Sequence, residues 1–484
     1  MTQARQIPMI IQGGMGVAVS SWKLASEVAQ TGHLGMVSGV ALDLVAARRL
    51  QDGDPGGHVR RAAQQFPNPA VAQRLVQRYF LPDGRAAGRA YAPVARLTLQ
   101  PTQEAVEHLV FSAFVEVWLA KEGHSGLVGI NCLEKIQLAT PATLYGAMLA
   151  GVDIVAMGAG VPSGIPALLN SLAAGLAVQF RIDVAGEESS VRYLHFDPTA
   201  ALGAPAPQLV RPPFLAIISA FALAAYLARD PALCPDGFIV ESPQAGGHNA
   251  PPRRPMLDAS GDVVFGPKDV PDIQRIQGLG LPFWLAGSEG SPESLRKARA
   301  AGAVGIQAGT IFALSLDSGL RDDLRREALS RIASSSLRVH TDPRASPTGF
   351  PFKVAELPGT LSDNELRESR TRICDLGFLR TPYANDAGNI GYRCPAEPIR
   401  MFVRKGGDPA DAVDRVCICN GLSANVGLAQ VRRDGTEELP IVTLGSDFDG
   451  AHELLHSYPD GWTARQAVEW LSGETVKATG SSSS

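Results

Sequence analysis

The sequence predicts an α/β fold, a (β/α)8 TIM barrel with a helical insertion after strand 2, a β-hairpin insertion before strand 5 and a C-terminal extension. The first observation behind this is a rhythm of eight short apolar runs, each followed by a helix-like stretch. They cover residues 8–12, 34–38, 127–131, 154–158, 214–219, 238–241, 283–287 and 305–309. The second is that each run is nearly continuous in apolar residues rather than alternating, as strands buried on both faces of a parallel sheet are. The third is composition: 50 glycines and only 6% aromatics suit a chain with many tight strand-to-helix turns. Eight βα units close a barrel, whereas a doubly wound sheet, the competing arrangement, needs fewer strands and a clear switch point.

Two segments interrupt the rhythm. Residues 46–125 separate the second and third strands with charged, helix-prone sequence at 59–66, 71–79 and 102–121, read as a helical cap beside the barrel mouth. Residues 178–184 and 191–196 flank Gly186-Glu187-Glu188-Ser189 and read as an inserted hairpin. The barrel domain is expected to span residues 1–340 and the C-terminal extension 341–484, with a cysteine-containing segment at 373–420 and a disordered tail, Gly480–Ser484.

The bulk numbers exclude several classes. With 484 residues and 45% hydrophobic content the chain can bury a large core. A formal net charge of -4 and the lack of a Lys/Arg cluster argue against nucleic acid as a partner. Arg5 and the short run at 7–11 lead into glycines without the apolar core of a signal peptide. The apolar stretch at 213–228 is shorter than the roughly 20 residues of a membrane span and reads as a strand followed by a small-residue helix. The chain is therefore expected to be cytoplasmic and free of the membrane, and its composition leaves room for a homo-oligomer.

In TIM barrels ligands sit at the C-terminal ends of the strands, and phosphate favours the loops after the seventh and eighth. Here those loops are Gly287-Ser288-Glu289-Gly290 and Gly309-Thr310. Glycines let backbone N–H groups approach an anion, and helix starts at Ser291 and Thr310 add partial positive charge. The plain alternative is that these glycines only make tight turns. Gly13-Gly14-Met15-Gly16 after the first strand is not read as a dinucleotide fingerprint, because the second strand ends in Ser38-Gly39 with no acidic residue to hold a ribose.

Taken together, Ile10-Ile11-Gln12-Gly13-Gly14-Met15-Gly16, Gly129-Ile130-Asn131, Glu241-Ser242-Pro243-Gln244-Ala245-Gly246-Gly247-His248, Ala286-Gly287 and Gly305-Ile306-Gln307-Ala308-Gly309-Thr310 resemble the nitronate monooxygenase (2-nitropropane dioxygenase) family. The resemblance implies an FMN-dependent flavoprotein oxidoreductase that oxidises alkyl nitronates or nitroalkanes with O2. It implies backbone of Gly14 and Met15 near the flavin ring, a hydrogen bond from Asn131, space beside the ring at Gly246 and Gly247, and phosphate binding by Gly287, Ser288, Gly309 and Thr310. It makes His248 the catalytic base or hydrogen-bond donor. The seventh loop departs from the family's Gly-Gly-Ile, and Glu289 must point away from a phosphate or bind something else. Residues 133–136 and 144–153 look closer to a sister group, the FMN enoyl reductases of polyunsaturated fatty acid and polyketide synthases. That implies the alternative, reduction of an enoyl thioester with NAD(P)H.

Lys135 is weighed as a counter-charge to the flavin against a solvated lysine; His124, Cys132, Trp22 and Trp284 are read as structural. Cys374, Cys394, Cys417 and Cys419 fall in a segment rich in Gly, Pro and Asn that buries little apolar surface. They are expected to lie near one another, either as buried free thiols or as ligands of zinc or an iron–sulfur cluster. No metal site is assigned beyond these four candidates.

Overall fold

The computed structural model describes residues 8–186, 191–385 and 387–473. The expected tail Gly480–Ser484, the turn residues Glu187–Ser189 and the start of the chain through Ile7 lie outside the described residues.

The eight apolar runs form eight parallel strands. These are β1 (Ile10–Gln12), β2 (Gly35–Ser38), β3 (Val128–Leu133), β4 (Ile154–Gly158), β7 (Phe214–Ile218), β8 (Gly237–Glu241), β9 (Phe283–Ala286) and β10 (Gly305–Ala308). The two strands between β4 and β7, β5 (Val178–Ile182) and β6 (Arg192–Phe196), pair antiparallel with each other as the inserted hairpin. The sheet runs β1-β10-β9-β8-β7-β4-β3-β2, and the parallel bridge of Ile11 to Leu34, with Gln12 N–H donating to Leu34 O at 2.9 Å, closes it into a barrel. A closed ring excludes the doubly wound alternative. Alternate residues point inward, so Ile11, Met36, Ile154, Leu215, Ile239 and Trp284 pack into a core inside the barrel while their neighbours face the outer helices. Trp284 is fixed there by an indole N–H donated to Pro8 O at 3.0 Å.

The structure corrects the reading of residues 102–121 as a cap beside the mouth. They form the helix Gln103–Lys121, buried on nearly every face. It packs against the Trp22–Ala29 and Thr140–Leu149 helices, which follow β1 and β3. It therefore takes the place of the second outer helix of the barrel. The Ala-Phe-Val-Glu-Val-Trp-Leu-Ala run has no polar face to offer solvent, and a helix apolar all round is stable only when surrounded. The shorter helices His58–Ala63 and Pro69–Tyr79 pack outside it.

The apolar stretch at 213–228 divides as expected into β7 and the helix Phe221–Arg229, and among the described residues no helix is long and apolar enough to cross a membrane. Beyond residue 338 come two hairpins, β11 (Val339–Asp342) with β12 (Phe352–Ala355) and β13 (Thr381–Ala384) with β14 (Ile390–Arg393). The chain then returns to the barrel. The helix Ala464–Ser472, opened by a Thr463/Gln466 capping box, packs against both the Trp22–Ala29 and the Pro292–Ala300 helices, between the first and seventh helices of the outer ring. Trp462, fully buried just before it, donates its indole N–H to Ile311 O at 2.7 Å.

Candidate active site

At the C-terminal ends of the strands lies a cleft made of two joined cavities, of about 160 Å3 and 560 Å3, which share Gly14, Gly16, Glu241, Gly246, Gly247 and Thr443. The larger is within the range of small-molecule sites, roughly 300–1,000 Å3. Asn131 and His248 line the smaller cavity. Met15, Gly287, Ser288, Gly309 and Thr310 line the larger one, so the residues expected to hold a cofactor lie along a single cleft.

The floor is the turn after β1. Gln12 bridges it to β2, accepting from Met36 N–H at 2.9 Å and donating to Ser20 Oγ at 2.8 Å. Ser20 Oγ in turn donates to Gly13 O at 2.9 Å and accepts from Met15 N–H at 3.0 Å. Asn131, within β3, donates from Nδ2 to Gly14 O at 3.1 Å, and its side chain passes so close that a Cβ on Gly14 would lie 2.3 Å from Asn131 Cβ. The other amide atom, Asn131 Oδ1, is buried without a partner. A buried acceptor left open costs free energy unless a ligand donates to it, so its place in a cavity wall marks a binding position.

The larger cavity ends at the seventh and eighth loops. Gly287 (φ +82°) makes a turn too crowded for a side chain: a Cβ there would meet Ser242 Oγ at 2.4 Å. Ser288 follows, also left-handed (φ 62°), with its Oγ buried and unpartnered. Ser291 caps the Pro292–Ala300 helix by accepting from Ser294 N–H at 3.1 Å. These features suit an anion, yet Glu289 does not point away. It lines the same cavity with Asp447, and burial together with the Asp447 charge pushes its carboxyl up to about 7, against a smaller opposing effect of Lys297. An anion bound here is therefore favoured while Glu289 is protonated and disfavoured once it ionises.

The far wall comes from the C-terminal extension and was not read from the sequence. Gly247 N–H donates to Thr443 Oγ1 at 2.7 Å, Ser446 N–H to Gln244 O at 3.1 Å and Gly445 N–H to Thr310 Oγ1 at 3.0 Å. A Cβ on Gly246 would sit 2.8 Å from the Leu444 carbonyl carbon, so only glycine admits this approach. The run Ile441-Val442-Thr443-Leu444-Gly445, apolar and ending in glycine like the barrel strands, is the signal that could have marked it.

His248 is held from the same side. It bridges to Phe352, whose ring meets the imidazole edge to face at 4.9 Å, and its Nε2 lies 2.7 Å from Ser346 Oγ. Ser346 Oγ contacts Thr348 Oγ1 at 2.8 Å, which extends a chain of hydroxyl groups from the buried Ser346 to the half-buried Thr348. Burial, with a smaller contribution from the Lys135 charge, lowers the imidazole to about 4, so it is neutral at pH 7. Lys135 itself stacks its ammonium over Phe350, 5.0 Å from the ring centroid. Glu241, at the junction of the two cavities, is pushed up to about 7 by burial alone and is a titratable group that sequence reasoning overlooked. Cys132 lines the smaller cavity as a thiol raised by burial to about 12. His124 is tied to Ala120 O at 2.7 Å and Ser26 Oγ at 3.1 Å, and Trp22 packs on His58.

No family model matches the chain, and no curated protein matches it in sequence. Solved structures similar to it include FabK from Thermotoga maritima, with 14% identity over 97% of this chain and 92% of that one at a TM-score of 0.49. A nitroalkane oxidase from Streptomyces ansochromogenes has 15% identity over 96% and 95%, at 0.47. The enoyl reductase domain of MlnA, from the macrolactin biosynthesis cluster of Bacillus amyloliquefaciens, has 11% identity over 96% and 94%, at 0.46. At these scores the assignment of the barrel rests on the strand order.

Proposed function

We propose that the chain is an FMN-dependent oxidoreductase that oxidises alkyl nitronates with O2. The unpartnered Asn131 Oδ1 in the wall of a cleft that ends in two glycine turns carries the cofactor reading. Asn131 and the backbone of Gly14 and Met15 would hold the ring, and Gly287, Ser288, Gly309 and Thr310 the phosphate. A bound flavin would supply the redox chemistry; the protein positions the substrate and controls protons.

His248 favours the nitronate over the neutral nitroalkane. An imidazole lowered to about 4 is a weak base, poorly matched to removing an α-proton at neutral pH. A nitronate arrives already deprotonated and needs only orientation, which a neutral imidazole held by Ser346 provides. The nearby Lys135 charge, which helps keep the imidazole neutral, also attracts an anion. The hydroxyl chain from His248 through Ser346 to Thr348 supports the second reading, an enoyl-thioester reductase, because such a chain could return a proton to the substrate after hydride transfer.

Purified protein is expected to be yellow, with about one non-covalent FMN per chain. A protein still colourless after incubation with excess FMN would exclude the cofactor. Turnover of propyl nitronate with O2, set beside turnover of a crotonyl thioester with NADPH, separates the two reactions. FMN affinity should fall about tenfold as pH rises through 7, the effect of a one-unit coupling between the phosphate and the raised Glu289 carboxyl. Glu289→Gln should abolish that dependence and bind FMN more tightly than the parent at pH 8. Equal affinities of parent and variant at pH 8 would show that Glu289 does not face the phosphate.

A further inference from the structure

We propose that Cys374, Cys394, Cys417 and Cys419 form a four-thiolate centre for a thiophilic metal, a zinc ion or an iron–sulfur cluster, that braces the wall of the cleft. The four cysteines come from three separated segments. Cys374 precedes β13, Cys394 directly follows β14, and Cys417 and Cys419 stand at the start of the Ile418–Ala424 helix. They meet in one buried group in which Cys394 and Cys417 are 5% and 6% exposed and the other two pack against them. Cys374 and Cys394 are in hydrogen-bonding contact. None is in a disulfide.

The charges around the group point the same way. The Arg372 guanidinium lies beside Cys394 and Cys417, half-buried, and donates to the backbone carbonyls of Glu397, Ala412 and Pro395. Arg380 lies beside Cys374 and donates to the carbonyls of Gly377 and Leu97. Neither makes a salt bridge with a carboxylate among the described residues. Half-buried cations without a paired anion are costly. Four thiolates around a divalent zinc leave two net negative charges, which two guanidiniums balance, and a cube-type iron–sulfur cluster likewise carries net negative charge on its cysteine ligands. Four protonated thiols or two disulfides would leave the guanidiniums only the weaker influence of the unbonded Asp414 and Glu397 carboxylates.

In the fold described, no three His, Cys, Asp or Glu side chains already stand in a metal-ligating arrangement among the described residues. The thiols are packed as apolar groups. Binding requires loss of their protons and rotation of the sulfurs toward a common point, and each cysteine has a single side-chain torsion with three staggered wells for doing so. The location gives the centre a role. Cys419 lines the smaller cavity, as do its neighbours Ile418 and Leu422 and, from the loop after Cys374, Phe378 and Leu379. A metal would tie both pieces of that wall to β14, beside the ion-pair network in which Arg432 joins Asp375 to Glu438 and Asn420 donates to Asp375.

The test is elemental analysis of the full chain purified without chelator, together with thiol titration under native and denaturing conditions. The expected result is close to one zinc per chain, or iron and acid-labile sulfide with an absorbance distinct from flavin, with all four thiols silent until denaturation. Zinc and iron tell the two forms apart. Cys417→Ser and Cys394→Ser should each lose the metal while FMN content stays at the parent level, so the outcome does not depend on the flavin reading. Should a variant fail to fold, the metal content of the parent chain still decides. Protein that holds no metal after loading with zinc, or after anaerobic reconstitution with iron and sulfide, overturns the proposal. So does mass analysis that finds disulfides among the four.

Discussion

His248→Ala should lower turnover by about two to three orders of magnitude, the cost of losing one preorganised hydrogen-bond donor at the substrate, while flavin content stays unchanged. The imidazole lines the smaller cavity, and its backbone bridges to Phe352 rather than to the loops at the phosphate end, so its removal leaves those loops intact. The pH profile gives a second readout. Burial depresses the imidazole from 6.5 to about 4, and its neutral form therefore persists well below the usual range. The activity that depends on His248 should stay level as pH falls through 6.5 and decline only near 4. The same shift makes acid destabilising: the unfolded chain takes up the proton below about 6.5 and the folded chain does not, so this contribution to stability is lost between about 6.5 and 4. An acid limb at 6.5 would show that burial does not depress the imidazole, and a fully flavinylated alanine variant with near-parent turnover would reduce His248 to a packing residue.

Gly14→Ala is the second large effect. The added methyl would lie 2.3 Å from Asn131 Cβ and 3.0 Å from Asn131 Nδ2, the atom that donates to Gly14 O. Relief requires Asn131 to turn away, which breaks that hydrogen bond and moves the open Oδ1 out of the cavity wall. Overpacking of this kind costs about 1–3 kcal/mol, which corresponds to about a 5- to 150-fold loss of FMN affinity. Titration of the apoprotein with FMN, followed by flavin fluorescence, measures it, and circular dichroism checks that the barrel is retained. Unchanged affinity in a folded variant would mean that Asn131 does not hold the cofactor.

What the chain disclosed in advance follows from the range of the interactions. The barrel strands were legible because burial on both faces leaves a local mark, a continuous apolar run with a glycine or polar stop. The glycines of the cleft were legible for a similar reason, since tight turns and close approach are written in single residues. The helix Gln103–Lys121 was found but misplaced: nothing local tells whether an apolar helix lies at a mouth or in the outer ring, and some sixty residues separate it from β2. Ser346 and Thr443 were missed because serine and threonine carry no local pattern, and each reaches the site only through contacts formed about 100 and 200 residues along the chain. Glu241 was quoted inside a conspicuous motif, yet its titration depends on burial that appears only once the barrel closes.

The Ala464–Ser472 helix has a consequence for the order of assembly. Because it fits between the first and seventh outer helices, a polypeptide emerging from the ribosome presents almost the whole barrel before the piece that seals it. The flanks of the Trp22–Ala29 and Pro292–Ala300 helices stay uncovered until that helix arrives. Contacts of such long sequence separation form slowly and leave sticky intermediates exposed. Trp462 is the natural latch, since its indole must thread back to Ile311 to be buried. Closure of the outer ring thus waits on residues 462–472, and a nascent chain stalled before Trp462 is expected to be a client for chaperones.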